Sequence, residues 1–376
     1  MIAVLMMVKD EEKSIKVSID SFKNIINTVI VLDTGSTDKT IDIIKSTCAK
    51  NKQKLYLKET TFKSFPESRN EAIEFAETIK DIEYLILMDA GDELKTKLHK
   101  NEFNKAIASI PNIYNHALIK HNWLVNRVFD DHYDVRFIRN HTNCRYDLKY
   151  LVHEKFKNVK DITNISNIFY LYQNRDLYGI STQNRYIKDI ENLLKSVPNK
   201  RNLYYLGQTY LSLEDYENAF KYNLLSYEKE EDDDEDEVMG DHILKNILVR
   251  IGYSAIRTDK NKNIIFTYLE EAITKFRDPP IDAFIFLMSY SIDKKITDQV
   301  IKYVRQLFQL QKPSDLSMVN HSFYDYKRWN IISIVCLLSN QEIELGRDAC
   351  KKALSVGSNK DDLNNMQVYN FLFSKK

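Results

Sequence analysis

Glycine and proline are scarce in this sequence, at 8 and 6 residues in 376. So few chain breakers, with many Lys, Asn, Ile and Tyr residues, favour long helices joined by short connections. Cysteine is also thin. Cys48, Cys144, Cys336 and Cys350 lie far apart, with no CxxC and no compact Cys/His spacing. That excludes a disulfide framework or a zinc module and fits a reducing compartment. An excess of one charge is missing too: 54 basic residues face 54 acidic ones. No global field recruits nucleic acid or an anionic membrane. No segment approaches the roughly 20 apolar residues of a membrane helix. Met1 to Val8 is apolar but stops at Lys9-Asp10-Glu11-Glu12, too short for a signal peptide, and reads as a buried first strand. The expectation is a cytoplasmic protein with no transmembrane segment and no nucleic-acid partner. Apolar residues, at 43%, suffice for a sizeable core, and the length suggests two domains.

Short apolar runs alternate with helical patterns through the first hundred residues. Ile2–Val8, Thr28–Leu32, Leu55–Leu57 and Tyr84–Met88 read as strands, and Glu11–Phe22, Thr37–Thr47 and Glu67–Ile79 as helices. Near-continuous apolar strands between helices imply a parallel sheet covered on both faces. Ligands then bind outside the carboxyl ends of the strands. Three polar clusters fall there: Lys9–Glu12, Asp33–Asp38 and Asp89–Glu93. Residues 114–172 are strand-like and mixed, with runs at Ala117–His121, Val135–Ile138 and Ile168–Tyr172. From Asp176 the pattern turns helical, giving expected domains of 1–175 and 176–376. Tyr204–Tyr227 has the spacing of a tetratricopeptide helix pair, with Gly207 and Ala219 at a close approach. Looser pairs follow: Ile243–Ala255 with Ile264–Phe276, Ala283–Ser291 with Thr297–Leu310, and Trp329–Leu338 with Ile343–Leu354. A repeat array and a plain helical bundle both fit. Glu228–Glu237 is an acidic run that reads as a solvated loop.

Two segments carry chemistry. In Leu32-Asp33-Thr34-Gly35-Ser36-Thr37-Asp38, a carboxylate at a strand end can accept from a base or ribose hydroxyl. Gly35 permits a tight turn, and Ser36 or Thr37 can cap a helix whose N-terminus favours anions. An ordinary capping loop looks the same. In Met88-Asp89-Ala90-Gly91-Asp92-Glu93, three acids in five residues repel unless a cation or donors offset them. Carboxylates at this density suit a hard divalent metal that also grips a diphosphate; the alternative is a solvated acidic turn. His116, His121, His132 and His141 match no metal module and read as solvent or packing residues.

With Val8-Lys9-Asp10-Glu11-Glu12, Phe65-Pro66-Glu67-Ser68-Arg69-Asn70 and Val152-His153-Glu154, these segments bring a resemblance. Over about residues 1–155 the chain resembles a family 2 glycosyltransferase: a GT-A fold with a Rossmann-like mixed sheet between helices, here followed by an all-α, tetratricopeptide-like domain. The resemblance implies a UDP-sugar donor, a Mn2+ or Mg2+ ion, and inversion at the anomeric carbon. It places Val8, Lys9, Asp10 and Glu11 on the first nucleotide-binding loop. Asp33, with Gly35, Ser36 and Asp38, falls on the loop that holds uracil or ribose. Arg69 and Asn70 steady the nucleotide, and Asp89, Ala90 and Gly91 lie along the acidic motif. Asp89, Asp92 and His153 are the implied metal ligands. The family often has Asp-Ala-Asp where this chain has Asp89-Ala90-Gly91, so Asp92 is the substitute ligand.

An inverting transfer needs a base for the acceptor hydroxyl, worth typically ~10²–10⁴-fold. Glu154 is the first candidate, with Asp131 and Asp134 as rivals. Arg136 and Arg139 suit either phosphate or surface ion pairs. The acceptor is a glycan or a protein, and the helical domain offers a surface for a protein partner or a second copy. A different reading treats the chain as a catalytically impaired nucleotide-sugar-binding scaffold, a reading that Gly91 favours. A nucleotidyltransferase would want a glycine-rich loop near the start, and residues 1–12 hold no Gly.

Overall fold

The structure, a computed structural model, describes residues 1–125, 128–157, 159, 161–177, 182–196, 198–229, 241–312, 322–357 and 359–374; of 125, 128–131 and 182–185 it describes the backbone alone. The acidic run from 230 onward lies outside these residues. Two compact units divide the chain, Met1–Arg185 and Tyr186–Lys376. No helix among the described residues is long and apolar enough to cross a membrane.

The first unit is built on β1 (Ile2–Val8), α1 (Ile15–Ser21), β2 (Thr28–Asp33), α2 (Thr40–Asn51), β3 (Lys54–Glu59), α3 (Phe65–Glu77), β4 (Tyr84–Met88), β5 (Asp92–Lys95) and α4 (Lys100–Ala108). β6 (His116–Val125), β7 (Val128–Arg139), β8 (Ile162–Asn164) and β9 (Tyr170–Asn174) complete it. Among the described residues these nine strands form one sheet in the order β3-β2-β1-β4-β7-β6-β9-β5, with β8 beside β6. The sheet is mixed. β1 runs parallel to β2 and β4, whereas β7 is antiparallel to both β4 and β6.

Side chains alternate across a strand, and here both faces are covered. Val4, Met6, Val29, Val31, Ile86 and Met88 meet Ile15 and Ile19 of α1, Ile44 of α2, and Phe103 and Ile107 of α4. Ala3, Leu5, Ile30, Leu32, Leu85 and Leu87 turn the other way, onto Ala72, Ile73 and Ala76 of α3. The unbroken apolar runs in the sequence record this double burial. β5 was read as part of an acidic loop; it is a strand because Asp92 and Leu94 face inward while β9 supplies the ladder.

A helix across the unit boundary, α5 (Thr182–Lys195), precedes an all-helical second unit. This holds α6 (Lys200–Ser212), α7 (Tyr216–Glu228), α8 (Asp241–Arg257), α9 (Lys262–Thr274), α10 (Ile281–Asp293), α11 (Val304–Gln309), α12 (Arg328–Ser339), α13 (Ile343–Val356) and α14 (Lys360–Ser374). Consecutive helices pack on each other from α6 through α10 and again from α12 through α14. The helix expected over Thr297–Leu310 is instead two 3-10 turns and the six-residue α11.

Small residues set the close approaches. A Cβ on Gly346 of α13 would sit 2.1 Å from the Tyr369 hydroxyl and 2.5 Å from Cys336 Cβ. Alanine is the better helix former by about 0.8–1.0 kcal/mol. Overpacking of this kind costs about 1–3 kcal/mol. Gly346→Ala is therefore expected to lower the melting temperature of the helical unit; a rise in Tm would show that the contact yields at no cost.

Candidate functional site

The carboxyl ends of β1, β2 and β4 open on one crevice, as parallel pairing of these strands requires. The loops after β1 and β2 are laced together. Asp10 accepts from the Thr37 N–H at 2.7 Å, and the Asp10 N–H donates to Ser36 Oγ at 3.0 Å. The Glu11 N–H donates to Thr40 Oγ1 at 2.7 Å, and the Glu12 N–H to Asp38 Oδ2 at 3.0 Å. Asp33 is 1% exposed, and its Oδ1 accepts from the N–H groups of Gly35 and Ser36, both at 2.9 Å. Its carboxylate therefore closes its own turn. Gly35, at φ +100°, makes that turn in a conformation that strains any residue with a Cβ. Val8 is buried and its carbonyl accepts from the Thr34 N–H, while the Lys9 side chain is exposed. Burial raises the pKa of Glu11; a bond from Ser14 opposes this, and the charges of Asp89, Asp38 and Asp10 add to it.

Asp89, directly after β4, stands between two arginines. Arg69 Nη2 of α3 lies 3.2 Å from Oδ1, and Arg136 Nη1 of β7 lies 2.9 Å from Oδ2. Arg136 also donates from Nε to Asp134 Oδ2 at 3.0 Å, and Arg69 Nε lies 3.5 Å from Glu154. Burial would push the Asp89 carboxyl up, but the charges of Arg136 and Arg69 hold it well below the usual carboxylate range. Three carboxylates thus share two guanidinium groups, and both arginines are more buried than Asp89, with side chains 19% and 11% exposed against 35%. Such buried pairs persist only when each charge keeps its partner.

The expected ligands separate. Asp92 opens β5, and strand alternation turns it inward, where it is fully buried. Its Oδ2 accepts from the Asp89 N–H at 2.9 Å, and its Oδ1 lies 3.0 Å from His121 Nε2, without hydrogen-bond alignment. Asp92 shapes the Asp89 turn from behind. Gly91 adopts φ +94° and donates to Ser18 Oγ at 2.8 Å, so an aspartate in its place would be strained. The Ala90 carbonyl faces Gln173 Nε2 at 3.4 Å. His153 lies exposed at φ +55°. Among the described residues no three His, Cys, Asp or Glu side chains converge as a metal site. Asp89, Asp92 and His153 do not fit a divalent ion, because one is buried and another has both oxygens on arginines.

The other expected site residues take the following places. Asn70 exchanges two hydrogen bonds with the Tyr146 backbone, at 2.9 and 2.7 Å, and so fastens α3 to the chain beneath the crevice. Arg139 donates to the carbonyls of Tyr114 and Ile110, an anchor for the chain after α4. Asp134, 47% exposed, and Glu154, 16% exposed, flank the arginines. The side chain of Asp131 lies outside the described residues. His121 was read as a solvent or packing residue; its placement against Asp92 has no sequence signal beyond lying on the same sheet face as Ile119.

Residues 3–151 match the model of the family described as Glycosyl transferase family 2. The matched residues lie within the first unit. An uncharacterized glycosyltransferase of Rickettsia bellii (strain RML369-C) is 37% identical over 97 residues, 26% of this chain and 30% of that protein. The match thus spans less than a third of the curated relative. S. aureus TarS is matched over 72% of this chain and 55% of that one, with 13% identity and a TM-score of 0.38. S. aureus TarS 1-349 in complex with UDP-GlcNAc is matched over 90% of this chain and 92% of that one, with 14% identity and a TM-score of 0.34. Likenesses this low decide nothing about activity.

Because the folded pKa of Asp89 is depressed, its stabilising effect is present above the unfolded value of about 3.9 and is lost as pH falls through the folded value. Urea unfolding of wild type and Asp89→Asn should therefore show a stability gap at pH 7 that narrows below about pH 4. A gap independent of pH would show that the arginines do not hold this carboxylate.

Proposed function

We propose that this chain moves a sugar from a UDP-linked donor to a hydroxyl of a glycan or protein, with inversion at the anomeric carbon. The observation that carries the reading is the Arg69–Asp89–Arg136 cluster at the end of β4, opening on the same crevice as the loops after β1 and β2. The family 2 domain over residues 3–151 supports it.

In this reading the donor diphosphate competes with Glu154 and Asp134 for the two guanidinium groups. Planar, permanently charged arginines suit phosphate oxygens. The carboxylate that is displaced becomes free to take a proton. The acceptor oxygen then attacks the sugar carbon as the bond to the diphosphate breaks. The electron pair leaves with the diphosphate, and the hydroxyl proton goes to Glu154 or Asp134. The helical unit would serve as a tetratricopeptide-like surface for the acceptor protein or for a second copy.

A second reading, a nucleotide-sugar-binding scaffold without transfer, is favoured by the burial of Asp92 and by Gly91 in the acidic motif. Calorimetry with UDP and UDP-sugars, each with and without Mn2+, together with a sugar-release assay, separates the two. UDP should bind, and Arg69→Ala or Arg136→Ala should each weaken it roughly 10–100-fold, from about 1.5–3 kcal/mol per charged hydrogen bond. Sugar release should fall ~10²–10⁴-fold in whichever of Glu154→Gln and Asp134→Asn removes the base. UDP binding with no release or transfer from any donor selects the scaffold. No response to UDP or its sugars under either condition overturns both.

A further inference from the structure

Tyr146 carries no motif in the sequence, yet the fold brings it to the crevice. Its backbone exchanges hydrogen bonds with Asn70 and bridges to Phe156. Its ring stacks on Phe156, with 3.9 Å between centroids and 29° between planes. The flanking residues pair as a short finger: the Asp147 N–H donates to the Lys155 carbonyl and the Lys157 N–H to the Arg145 carbonyl, both at 2.8 Å. The same finger carries Glu154, 3.5 Å from Arg69 Nε. Tyr146 is thus fastened to α3 on one side and to the Glu154 loop on the other, and it is 7% exposed. We infer that the Tyr146 hydroxyl is a third diphosphate-binding group, donating one hydrogen bond to a phosphate oxygen held by Arg69 and Arg136. The inference deepens the sugar-transfer reading and rests on it for the identity of that diphosphate.

Three observations carry it. The hydroxyl itself is the first. It hydrogen-bonds to nothing among the described residues, yet it is not sealed and keeps accessible surface. The ring behind it is held by stacking and by the Asn70 exchange, so the hydroxyl meets a ligand with its ordering cost already met by the fold.

Its surroundings are the second. The Arg69 guanidinium carbon lies 5.8 Å from the centroid of the Tyr146 ring. The charges that act on the phenol are those of Arg69, Arg136, Asp134 and Glu154, the four groups among which the diphosphate would be exchanged. Arg69 and Tyr146 wall a small pocket whose other side chains are all apolar, with Met7 and Met88 near the carboxyl ends of β1 and β4. Nothing in that apolar wall competes for the hydroxyl, so its partner comes from the crevice. The third is its protonation. Burial, above all, lifts the phenol above its ordinary pKa; the arginine charges oppose this, and those of Asp134 and Glu154 add to it. The hydroxyl therefore keeps its proton at pH 7 and is a donor. An anionic oxygen gathered by the two arginines is the acceptor that suits it.

The test is calorimetry of the full chain and of Tyr146→Phe with UDP, uridine and inorganic pyrophosphate. The substitution keeps the stacked ring and removes a hydroxyl that has no partner, so the melting temperature should not fall. UDP and pyrophosphate should each bind roughly tenfold more weakly, the loss expected for one hydrogen bond to a charged group, while uridine affinity stays unchanged. A role confined to packing would weaken all three alike or none. The inference is overturned if Tyr146→Phe binds UDP and pyrophosphate as wild type does, or if uridine loses as much as UDP. In the first of these cases UDP still binds, so the sugar-transfer reading survives the failure. If wild type binds pyrophosphate through Tyr146 but does not bind UDP, the anion contact stands and the nucleotide assignment falls. If wild type binds neither, both are overturned.

Discussion

Asp89 sits at the end of β4 with an arginine on each carboxylate oxygen, and three separate parts of the first unit are needed to put them there. α3 supplies Arg69 and is pinned by the exchange between Asn70 and the Tyr146 backbone. β7 supplies Arg136, whose position follows from its antiparallel pairing with β4. β5 supplies Asp92, which receives the Asp89 N–H and so sets the turn. Removing any one charge leaves another buried without its partner, and that penalty ties the crevice to the fold beneath it.

The rest of the crevice is organised by polar groups that are largely spent on each other. Asp10, Asp33 and Asp38 accept from backbone N–H groups of the neighbouring loop or of their own turn. Their role is to hold two loops in fixed register, so that what faces a ligand is a preset edge. Preorganisation of this kind lowers the ordering cost of binding. Burial, with a smaller part from the acid-rich rim, raises the proton affinity of Glu11, and the two arginines are the groups suited to a diphosphate.

The second unit is held by a different device. Its helices carry a continuous core from Leu248 to Ala353, and close packing is allowed where a side chain is absent. A Cβ on Gly207 would lie 2.5 Å from Asn223 Nδ2, and one on Gly252 would lie 2.4 Å from Leu269 Cγ. These contacts explain why so glycine-poor a chain keeps glycine inside three of its helices, against their helix propensity.

Local pattern was enough to give β1 to β4 and α1 to α3 of the first unit, but not α4, β5 or β8. A run such as Thr28–Leu32 is apolar on both faces, and only a doubly covered strand keeps that composition. It also gave the three polar clusters at the strand ends, since they follow those runs directly. The role of each polar residue was not legible, because it depends on partners far away in the chain. Asp92 looked like a ligand in a loop of acids, yet a ladder to β9, nearly eighty residues on, made it the first residue of a strand and turned it onto His121. Arg136 was ambiguous between phosphate and solvent until β7 paired with β4. Sequence by itself determined which elements form and where polar groups leave them, because burial period and capping are local. Tertiary structure alone decided which charges meet, because a salt bridge needs two side chains within a few ångströms and nothing in either neighbourhood names the other.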